Sequence, residues 1–447
     1  MLFRSTDLRD LGLASLDNHD PAASLPAVLS WSLRGLTDVQ RTVFALLGIA
    51  PGPDIGLPAT ASLTGLSELD TRAVLGALEE ASLLDRQLGG RYAMHDLIRA
   101  YAAGIAIHKV AEPVRKMALR RVLDFYTQTA CPADRLLDPH AQPLRLDEPE
   151  PGVHPQTLPN IPAAMAWFDT EHFNLLAAQR TAADNAWHLT VGRLARFLDT
   201  FLYRQGHRHD RLDVWRAALE AGAHLPDPTS RIFAHRMLGR AYADLELHEA
   251  GLEHLHLALA LAENDPDVRQ KAHTHWLLVS AWMRRGENQL ALEHANRALE
   301  VYRILNEPVW EADALNAVGW LEAQLGEYDT ARIHCQAALT LLRHHNAAEG
   351  EASALDSLGY IAHHSGHHQQ AIEYYQAALA LLRAISNISQ SANTLDALGR
   401  SYFVLGEYRQ ARVAWQEALD LYRQQSREAD AARVQYQLDD LGHSGCE

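Results

Sequence analysis

The sequence predicts a mainly all-α protein: a helical front domain with one small β-wing, then a long superhelix of paired helices. Three observations predict it. Turn residues recur every 40 positions through the C-terminal half, a Gly89-Gly90 pair separates two short strand-like runs, and a proline-dense stretch lies between the two regions.

The spacing is the strongest of these. Gly286-Glu287, Gly326-Glu327, Gly366-His367 and Gly406-Glu407 stand 40 residues apart. After each turn comes Ala291, Ala331, Ala371 or Ala411, and then Ala298, Ala338, Ala378 or Ala418, each followed by leucine. Run backwards, the same ruler reaches Glu246, Gly251 and Ala258, then Gly206 and Ala218. Before the turns lie Leu238-Gly239, Leu278-Val279, Val318-Gly319, Leu358-Gly359 and Leu398-Gly399. A fixed period of this length with a turn between two apolar-periodic runs reads as stacked helical hairpins, helix A then helix B. The glycines let A approach B, and the alanines let B approach the next A. The skeleton resembles tetratricopeptide repeats. It implies five repeats over 231–425, with degenerate helical repeats over 163–230, and a capping helix (Arg427 to Leu441) and tail within 426–447.

The front domain, 25–125, reads as helices at Ala27–Gly35, 38–48, 57–64 and Glu68–Ser82, with a Pro51-Gly52-Pro53 turn. Leu83–Leu88 and Arg91–Met94 then form strands around the glycine pair, and a helix runs from His95 to Val110. Helices followed by a wing make a winged-helix domain. Eight of the 18 prolines fall between Cys131 and Pro162. Proline lacks the amide donor and clashes with the preceding turn, so 126–162 is expected to be a linker without helix.

Composition narrows the function. The formal charge is −16, so bulk attraction to nucleic acid or anionic membrane is excluded as the binding force. No run approaches the roughly 20 apolar residues of a membrane span, and the start of the chain does not read as a signal peptide. Cys131, Cys335 and Cys446 form no metal or disulfide pattern, which points to a cytoplasmic protein. The lysines are Lys109, Lys116 and Lys271; none follows a glycine, so no P-loop stands in the sequence. No nucleophile elbow or zinc-protease motif is present either, and neither enzyme activity nor a cofactor is expected.

The runs Leu25-Pro26-Ala27-Val28-Leu29-Ser30-Trp31-Ser32-Leu33, Pro51-Gly52-Pro53-Asp54-Ile55 and Arg91-Tyr92-Ala93-Met94-His95-Asp96-Leu97-Ile98-Arg99 resemble the winged-helix subdomain of signal-transducing NB-ARC (STAND) ATPases. Domain order brings the chain nearest to the actinobacterial AfsR-type regulators, from about residue 8 to 441. The resemblance implies that 1–24 is the remnant of a preceding helical subdomain and that the P-loop part of such an ATPase is missing. It also implies that Met94, His95 and Asp96 match the nucleotide-sensing motif, with His95 as the phosphate-reaching residue. Read from its own residues, His95 caps its helix.

The remaining candidate site is the inner, A-helix face of the repeats. Its solvent-facing positions fall at Arg236, Arg240, Trp276 and Met283, at Asp313, Asn316 and Trp320, at Asp356 and Tyr360, and at Asn393, Asp396 and Arg400. Aromatics supply contact area and Asn or Asp pairs with backbone amides, a mixture suited to a protein or peptide partner. The bland alternative is that Trp276 and Trp320 fill the core. Turn histidines His344, His345, His363, His364, His367 and His368 read as solvated rather than as a metal site. The expected function is a non-catalytic sensor and scaffold of an NB-ARC system, with an NTPase domain in cis or in trans as a further partner. The alternative is a DNA-binding regulator acting through the winged helix, against which four acids and one arginine on Glu68–Glu80 argue.

Overall fold

The computed structural model describes residues 31–142 and 144–444. The expected remnant at 1–24, the first turn of the helix expected from Ala27, and Cys446 lie outside them. The chain divides into two compact units, Met1–Ala133 with Pro143–Phe197, and Asp134–Gln142 with Leu198–Glu447.

In the first unit, α1 (Asp38–Ile49) opens on a capping box, in which the Thr37 hydroxyl and Gln40 side chain satisfy each other's backbone amides. Strand β1 (Asp54–Ile55), α2 (Leu57–Thr64), α3 (Glu68–Glu80), β2 (Asp85–Arg86), β3 (Tyr92–Ala93) and α4 (Asp96–Lys109) follow. Helix α1 lies so close to α4 that a Cβ on Gly48 would stand 2.4 Å from the Ala103 nitrogen. The sheet has three antiparallel strands in the order β1-β3-β2. The expected wing is therefore joined by a third strand after the Pro51-Gly52-Pro53 turn. Arg99 of α4 holds that turn, donating to the carbonyls of Gly52 (2.6 Å) and Pro53 (2.8 Å).

The proline-dense stretch departs from expectation. Helix α5 (Glu112–Leu137) runs straight through Pro132. A mid-helix proline forfeits one hydrogen bond, but this helix buries Val122, Phe125, Tyr126, Ala130 and Ala133, and that burial outweighs the loss. Among the described residues, irregular chain begins only at Asp138 and lasts to Asn160, which caps α6 (Ile161–Asp184) through the Ala163 amide. Expected as the first degenerate repeat helix, α6 instead belongs to the front unit. Arg91 next to the wing is clamped between Asp54 (2.8 Å) and Glu171 of α6 (2.6 Å), and Asn174 donates to both acids. Burial alone would raise the Asp54 carboxyl; the hydrogen bonds from Arg91 and Asn174 hold it below the ordinary value.

The second unit takes up the end of α7 (His188–Gln205) and α8 (Arg208–Gly222), then the hairpins α9/α10 (Pro228–Asp244, His248–Ala262), α11/α12 (Arg269–Arg284, Asn288–Leu305), α13/α14 (Pro308–Gln324, Tyr328–His344), α15/α16 (Ala348–His364, His368–Ala384) and α17/α18 (Ile388–Val404, Tyr408–Gln424), and finally α19 (Glu428–Ser444). The ruler's turn residues share one conformation: φ is positive at Gly206, Gly286, Gly326, Gly366 and Gly406, and also at Glu246. Within each hairpin, volume is traded across the A–B contact. A Cβ on Gly319 would stand 2.6 Å from the Cys335 sulfur, and one on Gly399 2.4 Å from the Trp415 indole nitrogen. Where the A helix carries Val279 instead of glycine, the equivalent B position is Ala295, and both are buried. Gly359 and Gly399 face Tyr375 and Trp415, Gly319 faces the smaller Cys335, and Val279 takes alanine, an exchange of volume that keeps the packing dense. No helix among the described residues is long and apolar enough to cross a membrane.

Candidate partner-binding face of the repeats

The A helices carry the twelve expected positions, but the structure divides them. Several are spent within the fold. Arg236 is buried and donates to Gln270 at 3.1 Å, and Arg240 lies 4.4 Å over the Tyr203 ring. Asp396, also buried, is paired with Arg400 (2.8 Å) and with Arg433 of α19. The Asn393 amide oxygen accepts from Arg427 (2.8 Å) and the Tyr422 hydroxyl (3.2 Å). All five were expected to face solvent: Asn393 and Arg400 do, Arg240 is half-buried, and Arg236 and Asp396 are buried. The rows of successive A helices, and of α19 beyond them, are near enough to pair with one another. Trp276 and Met283 are half-buried against the repeat core.

The rest form a patch on α13 and α15. The rings of Trp320 and Tyr360 meet at 4.7 Å, and Tyr360 meets His364 at 4.1 Å. Asn316 has a buried amide oxygen with no hydrogen-bond partner. Burial pushes the Asp313 carboxyl up to about 7, helped by the nearby charges of Glu349 and Asp138. Asp356 is likewise raised by burial, although its carboxylate accepts from the Thr394 hydroxyl at 2.7 Å. The patch combines aromatic area with carboxyl and amide groups in a poorly hydrated setting.

Sequence reasoning missed the charges behind this face. Arg211 is buried between Asp199 (2.6 Å) and Asp244 (2.7 Å); Asp244 also takes Arg284 (2.8 Å), and the Trp215 indole donates to Asp199. Burial alone would raise Asp244, but Arg284 and Arg211 hold it down. Arg204 was missed as well. No motif marks these residues, whose partners lie 12 to 181 positions away.

In the first unit, Met94 is buried, while His95 and Asp96 are exposed. His95 stands at the N-cap of α4, its Nδ1 accepting from the Leu97 amide at 3.4 Å. On α3, Glu68, Asp70, Glu79 and Glu80 are exposed together with Arg72, a surface that repels phosphate. The turn histidines do not converge into a three-ligand group among the described residues. His363 instead sits 2.9 Å from the Ser401 hydroxyl, its pKa lowered to about 4 by burial and by His364 and His368.

Residues 310–384 and 350–424 match the family model described as tetratricopeptide repeat. The chain carries tetratricopeptide repeats. It is also homologous to regulatory protein AfsR: 40% identical over 156 residues to that of Streptomyces griseus, covering 33% of this chain and 15% of the relative. To that of Streptomyces coelicolor it is 32% identical over 319 residues, 65% of this chain and 29% of the relative. The chain thus spans less than a third of the length of these curated relatives. Among solved structures, NprR in complex with its cognate peptide NprX is similar at TM-score 0.46 and 15% identity, over 61% of this chain and 82% of that one. A Rap protein complexed with competence and sporulation factor is similar at 0.45 and 16%, over 64% and 84%. A signal transduction ATPase with a tetratricopeptide repeat sensor from Pyrococcus horikoshii is similar at 0.41 and 16%, over 98% and 67%.

Proposed function

We propose that this chain is the sensing and interaction part of a signal-transduction regulator of the NB-ARC kind, taking a protein or peptide segment against the A-helix face of its repeats and performing no catalysis itself. The observation that carries this reading is the patch on α13 and α15. The Trp320–Tyr360 pair, the unsatisfied Asn316 oxygen and the desolvated Asp313 carboxyl stand together where packing alone would favour apolar residues. Unsatisfied buried polar groups cost about 1–3 kcal/mol each, a cost that a guest's backbone amides would relieve. Homology to AfsR regulators and the order of winged helix before repeats support a regulatory setting. In that setting an NTPase region, in cis or in trans, receives the signal. The Met94-His95-Asp96 run would lie towards its nucleotide, with His95 able to donate to a phosphate oxygen.

The test is affinity capture from the native cell with the full chain and with a Trp276→Ala, Asn316→Ala, Trp320→Ala variant of unchanged helicity. The reading expects a partner enriched by the wild type and depleted at least tenfold by the variant. Equal recovery of the same partners by both chains, or rapid ATP hydrolysis by the isolated chain, contradicts it.

A further inference from the structure

We propose that the segment Asp134–Gln142 is the resting occupant of the A-helix face, latched by Arg204, and that a partner reaches this face by displacing it. The inference rests on reading that face as the binding surface. It adds how access to the surface is regulated.

Although it is covalently the end of α5, the segment belongs to the compact unit of the repeats. Leu137 is 2% exposed. Its carbonyl is among the last four of α5, which have no donor within the helix. Arg204 supplies one, its Nη2 donating at 2.7 Å. The same guanidinium, also 2% exposed, donates to Glu349 on the first turn of α15 (2.7 Å) and to the Ile385 carbonyl after α16 (3.2 Å). Asn387 backs Glu349 at 3.4 Å, and one residue before Arg204 the Tyr203 hydroxyl accepts from Gln390 at 3.3 Å. One buried cation therefore ties the segment to the end of α7 and to the openings of two later A helices.

The latch is poorly balanced in charge. Asp138 follows Leu137 directly, and its carboxyl is raised by burial and by Glu349. Asp313 feels Glu349 and Asp138 in turn. Asp138 on the segment therefore meets like charge from Glu349 on α15 and from Asp313 on α13, which Arg204 offsets only in part. Release also costs little in backbone terms. Pro132, which gives α5 no amide hydrogen bond at that position, lies just before the segment, and irregular chain follows it from Asp138. The segment carries the same Asp138 that bears on Asp313, so a guest engaging Asp313 must contend with it.

Hydrogen exchange on the full chain, with no partner added, tests the latch. Exchange over 134–142 should be slowed at least tenfold relative to an unstructured peptide in the wild type. It should return towards the unstructured rate in Arg204→Gln, while 308–424 stays protected. An unprotected segment in the wild type, or unchanged protection in Arg204→Gln, overturns the proposal. Asp138→Asn does not depend on tolerance of change at the buried arginine; it removes repulsion and keeps the side chain's size, so it should slow exchange of the segment several-fold, and equal or faster exchange also overturns the latch. Displacement is read with a labelled synthetic peptide of residues 132–142. It should bind a Leu137→Asp chain at least tenfold more tightly than the wild type and lose that binding when Arg204→Gln is added; equal affinity for all three chains refutes exclusion by the resident segment. Because none of these arms uses a natural partner, a failure of partner capture leaves them standing, and their failure leaves the face itself free to bind a partner.

Discussion

Replacing Asp313 by asparagine keeps the side chain's shape and removes a carboxyl that the fold holds near neutrality. Burial raises its pKa to about 7, with Glu349 and Asp138 adding to the effect, against about 3.9 in an unfolded chain. Between those values the folded chain binds a proton that the unfolded chain does not. The contribution of this group to stability is therefore complete below pH about 4 and is lost as pH rises through about 7. At about 1.4 kcal/mol per pH unit, the full excursion is about 4 kcal/mol. Asp313 keeps some exposure to water, which brings the working figure to roughly 2–4 kcal/mol. Asp313→Asn should match the wild type near pH 3.5 and exceed it by that amount at pH 8, in denaturant unfolding of both chains across the range. The difference between the chains is the quantity to read, because histidines act with the opposite sign. His273 is lowered to about 3, and His235, His275 and His294 to about 4, chiefly by burial; they remove stability as pH falls below about 6.5. A difference that does not change between pH 5 and 8, or a variant less stable than wild type at pH 8, would refute the electrostatic reasoning about this face.

Two further predictions concern the architecture. Gly399→Ala places a methyl 2.4 Å from the Trp415 indole nitrogen, so unfolding should be easier by about 1–3 kcal/mol, whereas Gly399→Ala combined with Trp415→Leu should recover part of that loss. Glu246 holds φ at 63° where five equivalent turns have glycine; Glu246→Gly should raise stability by about 1 kcal/mol in denaturant unfolding, and a loss would show that the Glu246 side chain contributes something the turn needs.

The repeats were legible because their period is local. Each turn glycine and each alanine on helix B is specified within one hairpin, so the ruler alone marks Gly286, Gly326, Gly366 and Gly406 as turns, and all four have positive φ. The wing was legible from Gly89-Gly90, but its third strand, two residues long at Asp54–Ile55, carries too little pattern to be seen. Pro132 misled because proline's cost is visible in sequence, whereas the apolar face that offsets it depends on what α5 packs against. Helix α6 has the apolar spacing of a repeat helix; distant pairs such as Arg91–Glu171, 80 residues apart, and Asp54–Asn174, 120 apart, tie it to the front unit. The same holds for the binding face. Periodicity identifies which residues point inward, but not that Asp396 meets Arg433, or that Arg204 meets Glu349 across 145 residues. Those pairings follow from how successive hairpins stack, and they reduce twelve candidates to a patch around Asp313, Asn316, Trp320 and Tyr360.

The central claim is that a partner is received on the A-helix face. Hydrogen exchange of the full chain with and without the captured partner tests it most directly. The account predicts new protection concentrated on α13 and α15, over 308–324 and 348–364, with the B helices little changed. Protection confined to the B helices or to the winged-helix domain, with α13 and α15 exchanging as before, would contradict it.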